Sequence, residues 1–96
     1  MEYHSKTNIA QLTAGTQSQV FTGAGVLKSI TINTASAWTV GVIDGTSGAA
    51  ANVATIKSST AEGTLYYDCI MANGCRIANT NSSGRGGDIT VTWMQG

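Results

Sequence analysis

Turn residues recur along this chain at short intervals, and this spacing constrains the fold more than any other feature. From Gln19 onward, short runs rich in Val, Ile, Thr and aromatic residues alternate with clusters of Gly, Asn, Asp and Ser. Such turn signals about every eight to twelve positions are typical of an all-β sandwich or barrel. No segment shows the apolar repeat of a helix over a helix length. We therefore predict an all-β fold of antiparallel strands.

Within these runs apolar and polar residues alternate, so the pattern predicts which side chains face the core. Lys28 interrupts the apolar side of the run 25–34, which predicts a strand near a sandwich edge, where the lysine stem reaches solvent. The residues predicted to face inward are Val26, Ile30, Ile32, Trp38, Val40, Val42, Ile89, Val91 and Trp93.

The length and the N-terminal composition predict the domain organisation. A chain of 96 residues is short enough for a single core. Residues 1–17 are mostly polar and show neither strand nor helix periodicity, so we predict an extended N-terminal arm that lies across a neighbouring subunit or is disordered alone. Residues 18–96 are predicted to form a single β-sandwich domain.

Charge is unusually scarce. Only 10% of the residues are charged, with five basic and five acidic side chains, against roughly 25% in ordinary soluble domains. A near-zero net charge favours association. This composition predicts a subunit of a larger assembly, with a small secreted sandwich of neutral surface as the alternative.

The run 64–72 carries apolar groups on both of its sides. Leu65, Tyr67, Cys69 and Met71 alternate with Tyr66, Asp68 and Ile70. Such a strand is either central or has one face in the core and the other in an interface. The predicted interface residues are Tyr66 and Ile70, together with Tyr3, Ile9 and Leu12 of the arm.

Both cysteines flank an Asn-Gly dipeptide, which is the strongest short-range hairpin signal. A two-residue turn at Asn73-Gly74 pairs Ala72 with Cys75 and places Cys69 and Cys75 on opposite faces of the hairpin. We therefore predict two separate, buried or half-buried thiols. A five-residue loop would set the two cysteines opposite each other, so a disulfide is the alternative; a metal or redox site has weaker support, because the spacing does not match zinc ligands.

The chemistry-bearing residues argue against catalysis and against a cofactor. His4 is the sole imidazole, Asp44, Glu62 and Asp88 lie at turns or strand ends, and no nucleophile-base motif or metal-ligand set is present. The five basic residues are scattered, which argues against nucleic acid as a ligand. No apolar stretch is long enough to span a bilayer, and no signal peptide is recognisable at the N-terminus.

The order of several motifs resembles small structural proteins of tailed-phage virions. The motifs are GVLKSITINT, WTVGVIDGTSG, ATIKSSTAEGTLYYDCIMANGCRI and DITVTW, and together they span roughly residues 22 to 95. The resemblance implies a β-sandwich or jelly-roll subunit of the head decoration, or cement, type. It carries over no site residue, because such proteins act through their surfaces. Cys75 departs from the larger aliphatic residue expected after the turn.

Composition and resemblance together predict a capsid decoration protein that stabilises the assembled phage head. Its predicted partners are further copies of itself, as a trimer, and the major capsid protein. It would be made in the host cytoplasm and located on the capsid surface of the virion. The alternative is a receptor- or glycan-binding module of a phage tail or head fibre, with Tyr66, Asp68 and Asn79, and an exposed Trp38, as candidate sugar contacts.

Overall fold

Eight β-strands form two antiparallel sheets that pack against each other. The computed structural model of the chain describes residues 5–47, 51–81 and 84–95. The described residues contain no helix, so none that could cross a membrane. The strands are β1 Ser5–Ala10, β2 Gln17–Thr22, β3 Gly25–Thr34, β4 Val40–Asp44, β5 Ala51–Ile56, β6 Gly63–Met71, β7 Gly74–Asn79 and β8 Asp88–Met94.

The first sheet has the strand order β1-β8-β3-β6 and the second has the order β2-β7-β4-β5. Strands from opposite ends of the chain are nested, so that β1 pairs with β8, β2 with β7, β3 with β6 and β4 with β5. The predicted all-β class and β-sandwich are confirmed.

The core fills the space between the two sheets. Each inner face contributes alternate residues of its strands, as the two-residue period requires. Trp93 of the first sheet stacks on Phe21 of the second, with ring centroids 4.9 Å apart. The buried cluster comprises Ile9, Phe21, Leu27, Ile30, Ile32, Trp38, Val40, Val42, Ile56, Met71, Cys75, Ile77, Ile89 and Val91.

Lys28 does not mark a sandwich edge. β3 lies inside the first sheet, between β8 and β6, and its register with both neighbours shifts between Leu27 and Ser29. This irregularity moves the alternation by one residue, so Leu27 is buried with Ile30 while Val26 is half-buried on the outer face. The prediction that Val26 faces the core was therefore wrong.

The segment predicted to be an arm contributes an edge strand to the sandwich. β1 pairs with β8 along its whole length, from Ser5 opposite Trp93 to Ala10 opposite Asp88. The following loop is also attached, because Gln11 N–H donates to Gly87 O and Gly86 N–H donates to Leu12 O. The arm prediction was thus wrong for Ser5–Ala10. The exposed side chains of β1 are mostly polar. The segment is a strand because its backbone pairs with β8, not because its sequence alternates apolar and polar residues.

Candidate interaction surface

The two most exposed large hydrophobic side chains among the described residues lie on β6, an edge strand of the first sheet. Tyr66 is 80% exposed and Ile70 is 78% exposed, while Leu65, Tyr67 and Cys69 between them are partly buried against the core. The predicted alternation of this strand is confirmed. Because β6 has a partner, β3, on one side only, its other edge is open to another chain.

Asp68 lies between these two apolar side chains and shapes the strand. Its φ of 46° is left-handed, and two residues of β6, Tyr67 and Asp68, lie opposite the single residue Lys28 of β3. This β-bulge directs the carboxylate to Lys28, whose Nζ lies 2.6 Å from Asp68 Oδ1. Asp68 itself is two-thirds exposed, at 66%. The surface therefore presents an acidic group with apolar groups on both sides.

A row of apolar side chains extends this surface across the sheet. Ile70 lies opposite Val26 on β3, and Val26 lies opposite Met94 on β8. Val26 and Met94 are half-buried on the outer face. We refer to Tyr66, Asp68 and Ile70, with Val26 and Met94, as the β6 surface. The sequence did not indicate Val26 and Met94, because only the register brings them beside Ile70.

The other predicted interface residues do not join this surface. Ile9 is 6% exposed and lies opposite Ile89 in the core, and Leu12 packs against the core. Ile9 was predicted as an interface residue because it was assigned to an arm; in the strand it belongs to the sandwich interior. Tyr3 lies outside the described residues.

The candidate sugar contacts are not brought together either. Trp38 is 4% exposed and Asn79 is 1% exposed, where its side-chain amide donates to Leu12 O at 2.8 Å. Tyr66 and Asp68 are exposed on β6, in the other sheet from Asn79. The Asn79 side-chain amide, which was expected to contact a glycan, is therefore buried and hydrogen-bonded within the fold.

The Asn73-Gly74 hairpin prediction was wrong, because the dipeptide joins the two sheets. β6 pairs with β3, whereas β7 pairs with β2 and β4. Asp44 holds this crossover, since its carboxylate accepts the backbone N–H of Ala72 and of Asn73, at 3.1 and 2.8 Å. Gly74 has a φ of 132°, and a Cβ there would lie 2.7 Å from Phe21 O, so glycine is required by both conformation and space.

Both cysteines are free thiols, as predicted, although the hairpin that led to this prediction does not form. Cys69 is half-buried on β6 and Cys75 is fully buried on β7. Burial raises the pKa of the Cys75 thiol to about 12, and the nearby Asp44 carboxylate adds to the shift. Cys75 is therefore protonated at neutral pH and behaves as a small core residue.

The acidic side chains hold backbone or polar groups in place. Asp88 accepts from the Asn8 amide at 2.6 Å, and Glu62 accepts from the Ala35 N–H at 3.4 Å. Within residues 5–47, 51–81 and 84–95, no three His, Cys, Asp or Glu side chains cluster as metal ligands would.

Comparison with known proteins shows no family. No protein-family model matches the chain, and no curated protein matches it in sequence. Among solved structures, one that is similar comes from the work entitled "Bacillus endospore appendages form a novel family of disulfide-linked pili". Its chain is 15% identical, with 98% of this chain and 88% of that chain covered and a TM-score of 0.46. This likeness is too distant to bear on function.

Proposed function

We propose that this chain is a structural subunit that associates with further copies of itself, and that the β6 surface forms part of the contact. The observation that carries the proposal is the near-complete exposure of Tyr66 and Ile70 on one face of an edge strand. Burying a large apolar side chain contributes roughly 1.5–3 kcal/mol. A subunit contact that buries Tyr66 and Ile70 is therefore more favourable than leaving both side chains exposed to water.

The scarcity of charge supports the same proposal. Interface cores are depleted of charged residues and enriched in aromatic ones. The chain has ten charged side chains in 96 residues, and Lys28 and Asp68 beside Tyr66 form an ion pair that balances part of the charge on this surface. Two copies can therefore approach without a large electrostatic penalty.

Within this class we propose a capsid decoration protein of a phage head, acting as a symmetric oligomer, with a trimer as the expected form. The support is the order of motifs along the sequence from GVLKSITINT to DITVTW. A protein that binds the assembled shell and not its loose subunits stabilises the shell by mass action. Its partners would then be copies of itself and the major capsid protein.

Self-association is tested by measuring mass against concentration in sedimentation velocity. The wild-type chain should exceed its monomer mass of 9.8 kDa as concentration rises. The double variant Tyr66→Ser/Ile70→Ser should associate at least about tenfold more weakly, because it loses the apolar contact. Thr64→Ser, an exposed change on the same strand, is the control and should match wild type. A wild-type chain that stays monomeric at every concentration would contradict the proposal.

The decoration role needs a separate measurement on particles. Phage heads assembled with and without the protein are heated, and DNA release is followed by dye fluorescence. Heads that carry the protein should release DNA at a higher temperature, and heads with the Tyr66→Ser/Ile70→Ser variant should lie between the two. Equal release temperatures with and without the protein would remove the decoration role but leave self-association intact.

A further inference from the structure

The outer face of the second sheet contains a trough. Ala78 of β7 and Gly41 of β4 are register partners in the middle of the sheet, so the two central positions of this row have almost no side-chain volume, with Gln17 and Thr55 at its ends. Ile43, also on this face, forms an apolar part of the floor and is only 6% exposed. The trough encloses about 280 Å³, and it is lined by Gln17, Gly41, Ile43, Asn52, Thr55, Ala78 and Thr80.

A rigid polar network borders this trough. Arg76 is the register partner of Ile43, and its guanidinium donates to the side-chain oxygens of Gln17 and Gln19, at 2.7 Å for Gln19. The Gln19 amide in turn donates to the carbonyls of Gly45 and Cys75, at 2.9 and 3.0 Å. Side chains fixed in this way lose little entropy when a partner binds.

Arg76 carries a positive charge that its own contacts do not neutralise. Its acceptors among the described residues are the two glutamine side chains and Thr46 O, all neutral oxygens. The one ion pair in the described part of the chain joins Lys28 and Asp68 in the other sheet. The trough therefore borders a half-buried cation suited to a carboxylate from outside.

An exposed apolar side chain also lies on β5, the strand that contributes Asn52 and Thr55 to the trough. Val53 is 43% exposed and lies on β5 between Asn52 and Thr55, two residues that line it. Besides Tyr66 and Ile70, Val53 is the other exposed large hydrophobic side chain in the described residues. The two outer faces of the sandwich thus carry unlike surfaces: projecting apolar groups around an acid on one, and a hollow beside a base on the other.

We propose that the trough receives the β6 surface of a second copy of this chain, with Ile70 seated on Gly41 and Ala78 and with Asp68, two residues before Ile70, beside Arg76, two residues before Ala78. The inference rests on the proposed self-association and specifies its geometry as head-to-tail. Such a contact uses two different patches on each copy, so it closes into a ring or continues as a filament. Charge complementarity and the fit of projecting groups to a hollow favour this occupant.

A twofold contact of the β6 surface with itself is less favourable. Asp68 lies midway between Tyr66 and Ile70 along the strand, so a twofold axis through the apolar pair brings two Asp68 carboxylates close together. The ion pair with Lys28 offsets part of the charge of each carboxylate, but two carboxylates opposed at close range still repel each other. Head-to-tail contact instead pairs each carboxylate with a guanidinium.

The dimensions of the molecule allow such a contact. The chain measures 39 × 28 × 17 Å along its principal axes, which describes a flat slab. The broad faces of a two-sheet slab are the outer faces of its sheets. A face of 39 × 28 Å is large enough for the roughly 800 Å² that each partner buries in an interface of standard size.

The test uses two variants, each of which lacks one of the two surfaces. Gly41→Val fills the trough: a Cβ at Gly41 would lie 3.4 Å from Thr80 Cγ2 and 3.7 Å from Ala78 Cβ, so the branched side chain extends into the hollow. Tyr66→Ser/Ile70→Ser removes the projecting groups. Each variant alone should stay monomeric in sedimentation velocity, at concentrations where the wild type associates.

An equimolar mixture of the two variants should form a 1:1 dimer and nothing larger, because one intact trough meets one intact β6 surface. Arg76→Gln, which removes the positive charge beside the trough, should weaken wild-type association about tenfold, and Arg76→Lys, which keeps the charge, should weaken it less. Circular dichroism and urea midpoints establish that each variant is folded before its mass is interpreted.

The outcomes separate this inference from the proposed function. If Gly41→Val and Arg76→Gln both associate as the wild type does, while Tyr66→Ser/Ile70→Ser does not, the trough is not the receptor and the head-to-tail geometry is overturned, with self-association standing. A mixture that remains monomeric overturns the geometry in the same way. If the wild type itself never associates, both proposals fail.

Discussion

The carboxylate of Asp44, at the end of β4, accepts the backbone N–H of Asn73 at 2.8 Å and so anchors the crossover between the two sheets. The neighbouring Gly45 N–H donates to Gly74 O at 3.1 Å, which fixes the same corner from the other side. A hydrogen bond to a charged group contributes about 1.5–3 kcal/mol when protected and less when water can replace it. Asp44 therefore adds a charged side-chain acceptor to a corner that backbone hydrogen bonds also hold.

Asp44→Ala should lower the free energy of unfolding by about 1–3 kcal/mol, because the N–H groups of Ala72 and Asn73 lose their charged acceptor. Urea denaturation measures the change. Glu62→Ala is the matched control, since that exposed carboxylate accepts one N–H at 3.4 Å, and its effect should stay within about 0.5 kcal/mol. Equal effects of the two substitutions would contradict the anchoring role of Asp44.

The two thiols should differ strongly in reactivity. Cys75 is fully buried and its pKa is raised, whereas Cys69 is half-buried on an edge strand. Because the thiolate is the reactive form, a thiol reagent at pH 8 should label Cys69 first and Cys75 only on unfolding. Mass spectrometry of digested protein, with and without urea, identifies the labelled site. Equal labelling of both cysteines in the folded chain would show that Cys75 is not protected by burial in the core.

Stability should decline in alkaline solution. The pKa of the Cys75 thiol has its ordinary value of 9.0 in the unfolded chain and is raised to about 12 in the folded chain. Between these values the folded chain retains a proton that the unfolded chain has released, so the free energy of unfolding falls as pH rises through this window and is unaffected below it. Burial also raises the pKa of Tyr67, which acts in the same direction.

Urea midpoints measured from pH 8 to pH 11 check this decline. Cys75→Ala is the control: it is less stable at neutral pH because it leaves a cavity, but it should lose less stability with rising pH. A wild-type chain and a Cys75→Ala chain with parallel pH profiles would exclude Cys75 as the titrating group.

Gly86 should not tolerate a side chain. A Cβ at this position would lie 2.1 Å from Cε3 of the buried Trp38 ring. Gly86→Ala should therefore destabilise the fold by about 1–3 kcal/mol or more, as overpacking does. Gly41→Ala is the matched control, since its Cβ would meet its nearest neighbour at 3.4 Å and should be nearly neutral. Thermal unfolding, monitored by tryptophan fluorescence, compares the two variants. Equal melting temperatures would mean that the Trp38 ring shifts to accept the new methyl group without loss of stability.

Patterns within a single strand were predictable, because they depend on neighbouring residues. The alternation of β6 placed Tyr66 and Ile70 outside and Tyr67 against the core, as the structure has them. The bulge at Lys28 was not predictable, since it arises from how β3 matches β6 and β8 at once. The trough depends in the same way on register, which places Gly41 beside Ala78 from a distant part of the chain.

At Asn73-Gly74, long-range packing overrides the hairpin that the local sequence predicts. Met71 on β6 and Cys75 on β7 are both fully buried, and they lie in opposite sheets. A hairpin would pair β6 with β7 in one sheet, so the two side chains could not pack in the core from opposite sides. Asp44, 29 positions away in sequence, supplies the acceptor that Asn73 would otherwise lack. Burial of several core side chains outweighs the preference of one dipeptide.

The nested strand pairing has a consequence for synthesis on the ribosome. β8 lies between β1 and β3 in the first sheet, so this sheet is split until Asp88–Met94 has been made. Meanwhile the pair β4·β5 involves only nearby residues and can form early, while the β1 residues pair with β8 residues that are 78 to 88 positions away. A nascent chain that ends before β8 exposes β3 as an unpaired edge, so premature termination should yield aggregation-prone fragments rather than a smaller folded domain.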